Sequence, residues 1–391
     1  MKRYDEYKDS GVEWIGEVPR HWKVVPLKRA ITINNGCDYK HVQVEEDGYP
    51  VIGSGGQFAW ANQYMYDGEA VLLGRKGTID KPMYYNGKFW TVDTMFYGIP
   101  KKNANCKYLY YMAKNIPFER YATATALPSM TQTDLNNNTI CLPSLDEQSS
   151  IANYLDKKCS EIDNVISAQQ KRIALLQELK QSVITHAVTK GLNPNVEMKD
   201  SGVEWIGNVP KHWEIIRTRY LCSLCTGNKD TINRADDGKY PFYVRSPKVE
   251  RINTYSFDGE AILMAGDGVG AGKVFHYANG KFDYHQRVYN FHDFKRVTGK
   301  YFYYYIANNF RYIIEEGGAK NTVDSVRLYM IQNFLMTVPP KEEQNRICEY
   351  IEDQESKFDS SISKAQHQVE LLQEYKQSLI TEVVTGKRKV S

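Results

Sequence analysis

KDSGVEWIGEVPRHW, from Lys8 to Trp22, returns as KDSGVEWIGNVPKHW, from Lys199 to Trp213. Thirteen of the fifteen positions are identical; Glu17 becomes Asn208 and Arg20 becomes Lys211. A second set of echoes closes each half. LPSLDEQSSIANYLD from Leu142 returns as VPPKEEQNRICEYIED from Val338, and LLQELKQSVIT from Leu175 returns as LLQEYKQSLIT from Leu371. The stretches between the echoes have diverged. The chain is therefore two copies of one unit, a fixed frame around a variable insert. A duplicated frame suits a partner or ligand that is itself two-fold. Unlike inserts suit two different things being read.

The closing echoes carry a seven-residue pattern. One line is Leu155, Ile162, Gln169, Leu176 and Val183; the other is Cys159, Ile166, Ile173, Lys180 and Ala187. In the second copy these become Ile351, Phe358, Ala365, Leu372 and Leu379, with Glu355, Ile362, Val369, Lys376 and Val383. A pattern held over about five heptads predicts a coiled-coil seam, with the apolar members of both lines as its contacts. Helices of about 36 residues would be about 54 Å long. Lys180 and Lys376 fall at one seam position, and polar seam residues fix register or orientation. Leu175, Leu371, Ile184 and Ile380 add a second apolar line, so further neighbours are expected along the helices. The simplest arrangement packs the two helices on each other; packing each on its own insert, or using both as sockets for other subunits, stays open.

The inserts read as mixed α and β. AVLLG (Ala70–Gly74) and AILMAG (Ala261–Gly266) follow a shared DGEA turn, and a shared NGKF (Asn86–Phe89, Asn279–Phe282) follows KPMYY and KVFHY. Asn-Gly between apolar runs signals a hairpin. CKYLYYMAKN and GKYFYYYIANN read as helices. Trp14, Trp22, Trp205 and Trp213 are kept in both copies and are expected to be packing anchors. The expected fold is α+β: two pseudo-repeated mixed α/β domains, 1–145 and 191–340, joined by two long helices, 146–190 and 341–391.

Composition excludes little. Of the 391 residues 42% are apolar and 25% charged, and the formal net charge is +3. The 29 tyrosines offer stackable faces with polar tips. Among seven cysteines, Cys222 and Cys225 make the one CxxC, with no second pair to complete a zinc site. Such cysteines read as reduced thiols of a cytoplasmic protein. MKRYDEYKDSG has no apolar core of a signal peptide, and no stretch is long and apolar enough to span a membrane. GDGVGAGKV (Gly266–Val274) misses the phosphate-loop spacing and ends on Val274 where Ser or Thr is needed. Its alternating glycines instead suit a tight loop against a neighbouring strand or a ligand backbone. No GxSxG or HExxH string appears, so a binding role is simpler than a catalytic one.

At this point the residues resemble a known family. The KDSGVEWIGxVPxHW element is similar to the specificity subunits of type I restriction–modification systems. So are LLGRKGTIDKPMYY…FWTVDTMFY, GDGVGAGKVFHY…HQR, and the closing LPxxxEQ…I…YL and LLQExKQSxIT…VTxG segments. The resemblance covers almost the whole chain. It implies two target-recognition domains, each reading one half of a split double-stranded DNA sequence, and an antiparallel coiled coil of the two long helices that sets the gap. It further implies docking of two adenine methyltransferase subunits, with translocase–endonuclease subunits completing the complex. The chain would bind no cofactor; S-adenosylmethionine would belong to the methyltransferase partner. Three alternatives are the specificity part of a differently arranged restriction–modification system, a coiled-coil adaptor whose inserts bind proteins, and an enzyme with a site built between the inserts.

Candidate DNA-reading residues follow from side-chain chemistry. Arg75 and Lys76 stand between glycines and can approach phosphate or the acceptor edge of guanine. Thr94, Ser129, Thr131 and Gln132 supply hydroxyls and an amide. In the second insert the candidates are Lys273, then His285, Gln286 and Arg287, then Lys320, Asn321 and Thr322 in GGAKNT.

Overall fold

The structure, a computed structural model, describes residues 2–118, 128–316 and 325–390. It forms two compact units. The first is Met1–Gln170 with His367–Ser391; the second is Lys171–Gln366.

In the first unit β1 (Tyr7–Asp9) pairs antiparallel with β2 (Glu17–Pro19). Between them, Asp9 accepts from the Gly11 N–H at 3.0 Å and Ser10 Oγ from the Val12 N–H at 3.1 Å. Gly11 and Gly16 take φ of 70° and 69°, which only glycine adopts without strain. The motif thus spells a turn that plugs Ile15, Val18 and Trp22 into the core, all with no exposed surface. β3 (Lys23–Pro26) pairs with the later β11 (Thr139–Leu142). β4 (Ile31–Asn35), β5 (Gln43–Val44), β6 (Tyr49–Gly53), β7 (Gly56–Ala61), β8 (Tyr66–Gly74), β9 (Met83–Thr91) and β10 (Met95–Pro100) form one sheet in the order β4-β10-β8-β9-β6-β7-β5. Its pairings are antiparallel except β6 with β9. Gly68 and Gly87 face each other in the β8–β9 ladder with φ of 140° and 122°. Two such glycines let the hairpin curl. Tyr66 therefore reaches to 6.1 Å from Tyr97, whose ladder partner is Leu72, six residues along β8.

The helix α1 (Cys106–Ala113) is capped by the Asn105 side chain, and α2 (Gln132–Asn137) precedes β11. The first long helix, α3, runs Leu145–Lys190. The EQ of the closing echo has a structural cause: the buried Gln148 donates to Pro143 and Asn103 carbonyls and accepts from the Asn105 N–H at 2.8 Å. One amide thus ties the start of α3 to the cap of α1. Leu155, Ile162 and Ile166 are buried with Leu379 of the second long helix, α7 (Lys341–Val384); Val369 and Leu372 pack half-buried against them. Lys376 reaches Asp163 at 2.6 Å.

The second unit repeats the plan. β12 (Met198–Asp200) pairs with β13 (Asn208–Pro210), burying Ile206, Val209 and Trp213. β14 (Glu214–Arg217) pairs with β21 (Leu335–Val338). β15 (Ser223–Thr226), β16 (Tyr240–Tyr243), β17 (Glu250–Ile252), β18 (Phe257–Ala265), β19 (Phe275–Tyr284) and β20 (Val288–His292) form a sheet in the order β15-β20-β18-β19-β16-β17. The same paired glycines recur at Gly259 and Gly280, with φ of 149° and 105°. α4 (Gly299–Asn309), α5 (Arg311–Glu316) and α6 (Leu328–Asn333) follow. Gln344 repeats the role of Gln148, donating to Pro339 and Arg296 carbonyls and accepting from the Thr298 N–H. Ile351 is buried with Ile184, Ala187 and Val188, and Lys180 bonds Asp359 and Glu355.

The fold is α+β, built from two repeated sheet-rich domains and two long antiparallel helices. At 46 and 44 residues the helices exceed the heptad stretch, because their first turns start at Leu145 and Lys341, ahead of the seam. Seam residues Ile173, Leu176, Val183 and Phe358 are half-buried and Ile362 is buried. Of the second apolar line, Ile184 and Ile380 are buried, while Leu175 and Leu371 are exposed. Trp14 and Trp205 are half-buried packing residues, Trp205 stacked on Phe334 at 5.7 Å.

Candidate nucleic-acid interface

In the first unit three loops meet where β8 ends. The backbone N–H groups of Arg75 and Lys76 both donate to the Thr94 carbonyl, at 2.8 and 3.2 Å, from the loop before β10. The Gly77 N–H donates to the Pro128 carbonyl and the Met130 N–H to the Arg75 carbonyl, tying in the segment before α2. A short bridge joins Lys76 and Ser129. Gly74 is required here, since a Cβ would sit 2.2 Å from the Thr78 carbonyl oxygen. The Arg75 guanidinium lies over the Phe96 ring at 5.7 Å and donates to the Asp93 carbonyl. Lys76 is exposed. Arg75, Lys76, Thr94 and Ser129 are thus brought together on one scaffold.

Thr131 and Gln132 do not join them as free donors. Thr131 is the N-cap of α2 in a capping box with Asp134. Gln132 donates its amide to the Ile33 carbonyl at 2.6 Å. Both polar groups are engaged in holding the fold.

The second unit builds the same junction from different side chains. The Gly266 N–H donates to the Arg287 carbonyl and the Val326 N–H to the Gly266 carbonyl, both at 2.8 Å, and Asp267 bridges Ser325. By these bonds Gly266 stands where Arg75 stands, Asp267 where Lys76 stands, and Arg287 where Thr94 stands. A cleft of about 480 Å³ opens here, lined by Thr226, Asp267, Gln286, Arg287, Tyr289 and Arg327 among others. Asp267 holds two arginines, Arg245 at 3.0 Å and Arg287 at 3.6 Å. Arg327, exposed, lines the same cleft as Asp267 and Arg287. The excess positive charge and the fork geometry of Arg suit phosphate oxygens or the acceptor edge of guanine.

The remaining sequence candidates divide. Gln286 is exposed and donates to Asp230 at 2.9 Å. His285 is only 3% exposed, a correction to its reading as a base contact. Its ladder position matches Val92 of the first unit, and its Nδ1 accepts from the Arg287 N–H at 3.0 Å. Burial, aided by the nearby Arg245 charge, lowers its pKa and keeps it neutral. Lys273 is exposed at the end of the glycine loop but does not line the cleft. That loop packs on protein: a Cβ at Gly270 would sit 2.4 Å from the Arg245 carbonyl oxygen. Lys320, Asn321 and Thr322 lie outside the described residues. Sequence reasoning missed Arg245 and Arg327. Arg327 carries a local signal, a basic residue directly before the helical LYMIQN; Arg245 arrives through the non-local β16–β19 pairing.

Among the described residues, no three His, Cys, Asp or Glu side chains converge as metal ligands, and no helix is long and apolar enough to cross a membrane. Burial pushes the Cys222 thiol up to about 12.

The family described as type I restriction modification DNA specificity domain matches residues 19–175 and again residues 210–371. The type I restriction enzyme EcoDI specificity subunit of Escherichia coli is 27% identical over 180 residues, 46% of this chain and 39% of that subunit. The MjaVIII specificity subunit of Methanocaldococcus jannaschii is 26% identical over 160 residues, 40% of this chain and 33% of that one. The matched stretches therefore span less than half of either relative. Among solved structures, a chain from work on complex assembly and conformational transition of the type I R-M system aligns over 94% of this chain and 98% of its own, at TM-score 0.71 and 15% identity. That likeness is one of fold. With both repeats matched over most of their length, the chain belongs to the type I restriction–modification DNA specificity family.

Proposed function

We propose that this chain is the DNA-specificity subunit of a type I restriction–modification complex. Each unit reads one half of a bipartite double-stranded target through its three-loop junction. The long helices set the gap and dock two adenine methyltransferase subunits, which use S-adenosylmethionine; translocase–endonuclease subunits complete the assembly. This chain carries specificity and leaves the chemistry to those partners.

One observation carries the reading. The junction has the same backbone wiring in both units and different side chains, Arg75, Lys76 and Thr94 against Gly266, Asp267 and Arg287. A shared scaffold with exchanged tips is what two unlike half-sites require, because base identity is read by side chains held in register. The test is binding of the methyltransferase-loaded complex to its duplex and to duplexes with one half scrambled. Loss of specific binding on scrambling either half supports the proposal; indifference to one half refutes it.

A further inference from the structure

The cleft of the second unit has apolar side chains beside it that the fold leaves in water. Val269 is 92% exposed and Ile232 87%, and among the described residues no other large apolar side chain passes 63%. Single apolar side chains scattered over a surface are ordinary. These two are not scattered. Val269 stands two residues after Asp267, whose carboxylate holds Arg245 and Arg287. Ile232 stands two residues after Asp230, which accepts from the cleft-lining Gln286. Leu328, also exposed, lines the cleft beside Arg327.

Both tips sit on closed turns. The Ala271 N–H donates to the Gly268 carbonyl at 3.0 Å and the Gly272 N–H to the Ala265 carbonyl at 2.9 Å, closing the loop under Val269. Ile232 is the middle residue of a 3₁₀ turn, Thr231–Asn233. There the Asp230 N–H donates to Asn233 Oδ1 at 2.8 Å, and the Asn233 N–H donates to the Asp230 carbonyl at 2.9 Å. Turns of this kind hold a side chain in place before a ligand arrives, so less ordering opposes binding. In the first unit Gly77 repeats the left-handed conformation of Gly268, with φ of 80° against 71°. The residue after it is the half-buried Thr78 in place of the exposed Val269. The exposed apolar tip at this place is therefore particular to the second unit, as a device that separates unlike half-sites must be.

The charge beside the tips identifies their occupant. A cleft carrying Arg287 and Arg327 suits a duplex, and an aliphatic group gains nothing from phosphate. In the major groove, where an arginine fork meets guanine O6 and N7, the apolar group on the base edges is the C5-methyl of thymine.

We infer that Val269 and Ile232 read a thymine methyl group in the half-site of the second unit, beside the bases that the arginines address. The inference rests on the proposed function, and it adds the chemical group that the apolar tips recognise. Since the proposed partners modify adenine, each half-site holds at least one A·T pair on which to test it. The experiment measures binding of the methyltransferase-loaded complex to its duplex with each thymine of the motif replaced, one at a time, by uracil. That exchange removes the methyl group and keeps the pairing. The complex is prepared with wild type, Val269→Ala, Ile232→Ala and the double variant. Both positions are exposed, so folding should be unchanged, which circular dichroism checks. In the wild type, one uracil in one half should lower affinity about fourfold, the worth of one buried methyl. The double variant should bind the thymine and uracil duplexes alike, and the single variants show which tip makes the contact. Wild-type binding that no uracil weakens, or an equal uracil penalty in the double variant, would overturn the inference and leave the proposed function standing. So would loss of methyltransferase from the double variant in native mass spectrometry with uracil still without effect, which would assign the tips to the partner protein. Equal binding of the wild type to intact and half-scrambled duplexes would instead remove the proposed function itself.

Discussion

Replacing Arg287 by Ala tests the second junction directly. The Arg287 side chain is 65% exposed and sits 3.6 Å from Asp267, which keeps Arg245 at 3.0 Å when Arg287 is gone. An exposed pair of this kind contributes about 0–1 kcal/mol to stability, so folding should barely change. The binding effect is larger. An arginine reading a guanine edge is worth about 1–3 kcal/mol, a loss of about 5- to 150-fold in affinity. Fluorescence anisotropy of the methyltransferase-loaded complex would measure it, on the intact target and on duplexes with one half scrambled. Arg287→Ala should reduce affinity on the intact target. It should add nothing once the half read by the second unit is scrambled. Arg75→Ala should behave the same way toward the other half. Were Arg287 a phosphate contact, the loss would be uniform across sequences and the salt slope would fall by about one. Arg296→Ala, which removes an ion pair with Glu214 outside the cleft, is the control. An affinity unchanged by Arg287→Ala on every duplex would refute this account of the junction.

Two further outcomes concern stability. Tyr301 is fully buried, and its hydroxyl lies 3.0 Å from the Val188 carbonyl and 2.9 Å from Thr337 Oγ1, joining α4 to the end of α3; Tyr301→Phe should cost about 1–3 kcal/mol in chemical denaturation. An unchanged midpoint would mean the bond contributes nothing. Burial lowers the pKa of both His276 and His285 below the ordinary value of 6.5. The unfolded chain therefore takes up these protons first, so the stability they contribute is present above that value and is lost as pH falls through the lowered folded pKa. Melting followed from about pH 7 to pH 5 should fall less steeply in a His276→Gln, His285→Gln double variant than in the wild type. Equal slopes would place the acid sensitivity elsewhere.

Much of the fold was legible because it repeats. The opening motif predicts one turn twice, and the two copies share the same Asx and serine bonds and the same buried tryptophan. The heptads place Lys180 and Lys376 at the seam, where each meets a carboxylate of the opposing helix, Asp359 and Asp163. The junction was legible in part. Glycines around Arg75 and Lys76 mark a loop, and a loop end is a fair guess for a site. His285 misleads because its side chain is polar while its ladder position is a core position, as Val92 reveals in the other unit. Thr131 misleads for a readable reason: TQTD is a capping box, and its hydroxyl is committed to the helix start. Arg245 was not legible at all. It reaches Asp267 only because β16 pairs in parallel with β19, a contact that no local pattern announces.

The measurement that bears most directly on the central claim is sequencing of methylated adenines in cells carrying this chain with its methyltransferase. The account predicts a single bipartite motif, two specified halves separated by a gap of constant length and unspecified bases. In the Arg287→Ala variant, one half of that motif should relax while the other stays fixed. A contiguous motif, or relaxation of both halves together, would contradict two independently reading units.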